Sequence, residues 1–142
     1  MQTIQLVNQP IDPAKWAHCL HDIDTGSHLW FSGVTRRKTT DSSGQTTVTR
    51  TLHYEAYAEM AIEQLERLAK DARLRFELSG VVIIHRLGEV PLGEASVLVG
   101  CSSAHRKSSF EAVPWIMYRL KADVPIWKRE TFEDSSTQWI HP

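Results

Sequence analysis

The sequence predicts an α+β domain with a largely antiparallel sheet, and three observations carry that reading. Helical and strand-like periodicities follow one another in the order α, β, β, α, β, β, α. The strand-like runs are joined by short links rich in turn residues, which suit antiparallel neighbours. The chain has 142 residues, 42% hydrophobic and 23% charged, the size and balance of one globular core, so residues 1–142 are expected to form a single domain.

Asp12-Pro13 starts the first helix with an N-cap acceptor and a proline at the first helical position, where a missing N–H costs nothing. Trp16, Leu20 and Ile23 then recur at helical spacing until Gly26. Residues 28–36 read as a strand in which Gly33 marks a bulge or a close backbone approach. Arg37 to Thr46 is polar and holds Asp41-Ser42-Ser43-Gly44, the composition of a loop between strands. Thr47 to Tyr57 is rich in β-branched and aromatic residues. Ala58 to Leu74 is the clearest helix, with Ile62, Leu65, Leu68, Ala69 and Ala72 on one face. Val81 to Arg86 and Ala95 to Cys101 read as buried strands separated by Gly88, Pro91 and Gly93. Phe110, Val113, Met117 and Leu120 outline a last helix, with Ser108 and Glu111 spaced as a capping box. Pro114 inside it predicts a kink or a later start, because its ring clashes with the carbonyl of Phe110.

Several classes are excluded. The apolar run Val81 to Ile84 is far too short for a membrane span, and the N-terminus lacks a basic flank followed by an apolar stretch, so a soluble cytoplasmic protein is expected. Cys19 and Cys101 lie far apart without metal spacing, which supports neither a disulfide framework nor a zinc site. A net charge of −1 speaks against a nucleic-acid coat. There is no glycine-rich phosphate loop, no Gly-x-Ser-x-Gly elbow and no His-Glu-x-x-His helix.

What remains is cationic. From His105 to Arg129 six lysines and arginines face two acids, so this segment carries +4 and the rest of the chain −5, a distribution that suits an anionic ligand. His85-Arg86 and His105-Arg106 follow strands, and Lys121 and Lys128 come after them. Arginine offers a planar fork for phosphate or carboxylate, and a lysine that loses its proton on burial becomes a base or nucleophile. Plainer roles stand beside each: hydrogen-bonded strand-end histidines, a helix C-terminal cation at Lys121, and a surface turn anchored by Trp127 at Lys128. For Lys128 the chemistry alone leaves the two readings even.

Five stretches in register resemble the family of large, catalytic subunits of molybdopterin synthase, called MoaE in bacteria. They are Phe31-Ser-Gly-Val-Thr-Arg36, Leu52-His-Tyr-Glu-Ala-Tyr-Ala-Glu-Met-Ala61, Ile84-His-Arg-Leu-Gly88, Ser103-Ala-His-Arg106 with Phe110-Glu-Ala, and Ile116-Met117 through Leu120-Lys121 to Pro125-Ile-Trp-Lys-Arg-Glu130, closed by Trp139. Each is a weak motif; together, in the family order, they are specific. Pro114 departs from a helix that the family keeps regular, and the chain stops at Pro142 without the longer tail of some members, which implies altered contacts at the dimer or partner surface.

The resemblance implies an α/β hammerhead with an additional antiparallel β-rich subdomain. It implies conversion of cyclic pyranopterin monophosphate to molybdopterin, with two sulfurs delivered by the thiocarboxylated C-terminus of a small ubiquitin-like subunit, and no cofactor or metal. It also implies a homodimer within a heterotetramer. Carried over residue by residue, Lys121 and Lys128 are the catalytic pair, Arg36, His105 and Arg106 hold phosphate and pterin, and Phe31 and Met117 are apolar walls. His85-Arg86 is a less definite element of the site. The rival reading is a non-catalytic module that binds a ubiquitin-like sulfur-carrier tail; the retained lysine pair argues against it, because docking alone does not require both.

Overall fold

A computed structural model describes residues 1–140. Two sheets and three α-helices are laid out in the order β1 (Gln2–Val7), α1 (Pro13–Trp16), a 3₁₀ turn (Ala17–Leu20), β2 (Ser27–Val34), β3 (Lys38–Thr40), β4 (Thr46–Ala56), α2 (Ala58–Phe76), β5 (Gly80–Arg86), β6 (Gly88–Pro91), β7 (Ala95–Ser103), α3 (Arg106–Asp123), β8 (Ile126–Phe132) and β9 (Thr137–Ile140). The first sheet has the order β1-β5-β7-β2, in which only β1 and β5 run parallel. The second runs β3-β4-β8-β9 with β6 also on β4, antiparallel throughout, and is the additional β-rich part that the resemblance implies.

Strand alternation divides the core in two. Val81, Ile83, Val97, Val99 and Cys101 face α2 and α3, against Leu65, Leu68, Ala69, Ala72, Ala112, Ile116 and Leu120. Val82, Ile84 and Leu98 point the other way and meet Leu20, Trp16 and Trp30. Each fully buried aliphatic side chain in these layers is worth roughly 1.5 to 3 kcal/mol. β5 and β7, covered on both faces, are buried along their whole length, which is why they read as continuous apolar runs and not as alternating ones.

Several expectations are corrected. Asp12 does cap α1, its Oδ1 accepting from the Ala14 N–H at 3.1 Å, but the helix gives way to a 3₁₀ turn that ends at Leu20, and Ile23 is fully exposed. His18 and Asp22 carbonyls accept turn bonds from His21 and Thr25, so the chain reverses before Ile23 can reach the core. The last helix begins at Arg106 with His105 as its N-cap, two residues before Ser108, and there is no capping box. Instead Ser103 Oγ donates to the His105 carbonyl at 2.6 Å; its single proton thus used, it accepts from Ser109 Oγ at 2.6 Å. Pro114 neither delays nor divides α3, which runs unbroken to Asp123. Pro114 and Phe110 lie on its exposed side, where the carbonyl that loses its partner meets water; Phe110 is 59% exposed and belongs to no core. Ala112, Val113, Ile116 and Leu120 form the buried face.

Strands β1, β3, β6, β8 and β9 are additions to the sequence reading; β3 occupies Lys38–Thr40 within the stretch read as a loop, paired with the start of β4. The segment around Lys128, which also read as a surface turn, is the central part of β8. Gly33 does sit at a bulge, where the β2–β7 register shifts between Gly33 and Val34. A Cβ on Gly33 would come within 2.8 Å of Val97 Cγ1, so the close approach of β2 to β7 requires glycine there. Both cysteines are free.

Candidate active site

A cavity of about 570 Å³ opens where the two sheets and α3 meet, a volume suited to a ligand of drug or cofactor size. Each wall follows from local periodicity. On α3, Met117 and Lys121 stand one turn apart and face the cavity together with Leu120. On β8, Ile126, Lys128 and Glu130 alternate onto the same face. Leu52 and Tyr54 of β4 are the direct ladder partners of Glu130 and Lys128. Phe31 of β2 and Arg36, just beyond the Gly33 bulge, also line the cavity, and Arg36 Nη2 donates to Thr39 Oγ1 at 3.2 Å.

Three cations, Arg36, Lys121 and Lys128, thus share one cavity with one carboxylate, Glu130. Glu130 Oε2 accepts from Thr49 Oγ1 at 3.0 Å, which fixes the carboxylate beside Lys128. The Lys128 ammonium makes no hydrogen bond or ion pair among the described residues. Its ammonium titrates below the ordinary lysine value, because partial burial withdraws it from water and the charges of Lys121 and Arg36 repel it, with Glu130 opposing. A lysine in this setting gives up its proton more readily than one in solvent, which equips it for proton transfer or nucleophilic attack.

Of the seven residues singled out from the sequence, the structure brings together Phe31, Arg36, Met117, Lys121 and Lys128. It does not bring His105 and Arg106 to them: these two line a separate open hollow at the start of α3 with Gly26, Ala104 and Lys107. Sequence reasoning did not assign Tyr54, Thr49 and Glu130 to the site. For Glu130 the signal was present, since a residue two positions after Lys128 shares its face in any strand. His85 and Arg86 prove to be different things. Arg86 is 7% exposed and pairs with Glu94 at 2.7 Å; the Glu94 carbonyl also accepts from the Thr35 N–H at 3.0 Å, so the pair ties β5 to the segment that carries Arg36. His85 lines the cavity. Among the described residues no group of three or more His, Cys, Asp and Glu side chains is arranged to hold a metal ion, and no helix is long and apolar enough to cross a membrane.

Residues 6–123 match the family model described as MoaE protein. The chain belongs to the MoaE family. Relatives include a Drosophila erecta protein named molybdopterin synthase catalytic subunit, 40% identical over 141 residues, covering 98% of this chain and 37% of its own length. A Dictyostelium discoideum protein of the same name is 38% identical over 139 residues, covering 96% of this chain and 85% of its own. This MoaE chain therefore spans little more than a third of the fly relative and most of the Dictyostelium one. Among solved structures, the molybdopterin synthase from Staphylococcus aureus superposes with a TM-score of 0.85 at 30% identity, covering 95% of this chain and 94% of that one. That superposition places the α+β architecture, both sheets included, within the MoaE fold.

Proposed function

We propose that this chain is the catalytic subunit of a molybdopterin synthase. It converts cyclic pyranopterin monophosphate to molybdopterin, taking two sulfurs from the thiocarboxylated C-terminus of a small ubiquitin-like subunit. The observation that carries the proposal is the convergence of Arg36, Lys121 and Lys128, from a loop, a helix and a strand, on a single cavity with apolar walls at Phe31 and Met117. Both proposed ligands are anionic, and both are met by this cluster of cations.

Lys121 orients the thiocarboxylate and stabilises the oxyanion that develops as its acyl carbon is attacked. Lys128 moves the proton, or holds the acyl group transiently. In each round a carbon–sulfur bond to the pterin side chain forms as a carbon–oxygen bond there breaks, the oxygen leaving with the opened phosphate ester in one round and as water in the other; the acyl–sulfur bond is cleaved by water, which returns the tail as a carboxylate. Two rounds complete the dithiolene. Arg36 holds the phosphate, while His105 and Arg106 belong to the proposal through the family resemblance. The chain works as one domain, in the cytoplasm, as a homodimer that holds a small subunit on each copy, and needs no cofactor.

A turnover assay tests the reading. Purified chain, thiocarboxylated small subunit and cyclic pyranopterin monophosphate should give dithiolene product by mass spectrometry. A stable complex that binds the tail and yields none would leave a docking module in its place.

A further inference from the structure

The cations of the cavity account for an anionic group, but a pterin also carries a heterocycle edged with N–H donors, and these need neutral acceptors. Glu130 on the cavity wall is an anion already bonded to Thr49, and the hydroxyls of Thr49 and Ser96 are engaged as donors, Ser96 Oγ to the Gly33 carbonyl at 3.4 Å. His85 differs. It is 4% exposed, at the end of β5, and lines the same cavity.

Its tautomer is fixed by geometry. Nδ1 lies 2.9 Å from the Arg86 carbonyl, which can only accept, so Nδ1 carries the proton. Arg86 is itself held by Glu94, and the ring is packed edge-on to Tyr54 with centroids 5.0 Å apart, so backbone, ion pair and ring contact together set its orientation. Nε2 is left as a bare lone pair with no hydrogen-bond partner among the described residues. Burial keeps the imidazole neutral, pulling its pKa down to about 4, so Nε2 stays an acceptor at neutral pH. Nε2 is not sealed off from the cavity, so a ligand N–H can take the place of water on it.

We infer that His85 is a substrate-recognition residue, its Nε2 accepting a hydrogen bond from an N–H of the heterocycle while the cations hold the anionic end. This rests on the pterin substrate proposed above. It divides recognition between two chemistries, charge for the phosphate and a neutral acceptor for the ring, and gives the Tyr54–His85 pair a role as the floor of the ring subsite.

The test is direct binding of cyclic pyranopterin monophosphate, by calorimetry, to wild type, His85→Leu and His85→Gln, together with turnover and small-subunit affinity. His85→Leu should weaken pterin binding and raise KM about three- to tenfold, the loss of one hydrogen bond, with kcat and small-subunit affinity little changed. His85→Gln, which keeps an acceptor, should recover part of this. Should His85→Leu fail to fold, ¹⁵N-histidine NMR of the wild type decides: the unprotonated Nε2 resonance of His85 should move on adding pterin and stay put on adding inorganic phosphate. Equal pterin affinity in His85→Leu, or an Nε2 resonance that ignores the pterin, overturns the inference while wild-type turnover still upholds the enzyme reading. A wild type that binds no pterin overturns both.

Discussion

Lys128 stands directly opposite Tyr54 in the β4–β8 ladder, and Tyr54 meets His85 across the two sheets. The residue best equipped for proton transfer is thereby placed beside the floor on which a ring can rest. One strand register sets both, and a slip of one residue would turn Lys128 out of the cavity.

Lys128→Ala should reduce turnover by about a hundredfold to ten-thousandfold, the range that a positioned acid or base contributes, with fold and small-subunit binding preserved. Lys121→Ala should also be severely impaired. Near-normal rates in both variants at saturating small subunit would remove the catalytic assignment.

The pH dependence follows from the same group. With the Lys128 ammonium below its ordinary value, kcat/KM should rise as pH climbs through that lowered pKa and the free amine accumulates. Glu130 opposes the lowering, so Glu130→Gln should carry the rising limb to lower pH. A limb that stays in place or moves to higher pH contradicts the electrostatic account.

His85 should also leave a mark on stability. Its imidazole titrates near 6.5 when unfolded and about 4 when folded, so between these values the unfolded chain binds more protons and stability falls as pH drops from 6.5 toward 4. Fully developed, the loss is on the order of 3 kcal/mol. Denaturant titrations at pH 7 and pH 4.5 should show this fall in wild type and a smaller one in His85→Gln; equal falls would assign the acid sensitivity to other groups.

Much of this was legible in the sequence because the signals were local. The period of Leu65, Leu68 and Ala72 gave α2, the apolar runs gave β5 and β7, and Gly33 gave the bulge. β1 was missed although Ile4 and Leu6 alternate with Thr3 and Gln5 and pack on the core, because six residues near the terminus form a strand only through the parallel partner β5. The start of α3 was misplaced because serine spacing suggested a cap, whereas Ser103 and Ser109 bond each other across the strand–helix junction. The cavity itself depends on contacts between β4 and β8, seventy or more positions apart, which no periodicity reports. The cationic C-terminal third singled out the lysines, and the family resemblance gave them a catalytic role and added Arg36; only the fold showed that His105 and Arg106 lie elsewhere on the chain.

Arg36→Ala should weaken pterin binding about ten- to a hundredfold, as removal of a charge-assisted bond to a buried anion does, and Arg36→Lys should recover only part, lacking the bidentate fork. Arg106→Ala should weaken pterin binding in the same sense and leave the small subunit, with its larger surface, nearly unaffected. Separate titrations of each ligand check this: unchanged pterin affinity in Arg106→Ala would detach the hollow at the start of α3 from the substrate.

The most direct measurement follows the sulfur. With ³⁴S in the thiocarboxylate of the small subunit, product formed by the purified chain from cyclic pyranopterin monophosphate should carry two heavy sulfurs per pterin, with two tails returned as carboxylates. Tail binding without transfer of label to the pterin would contradict the account.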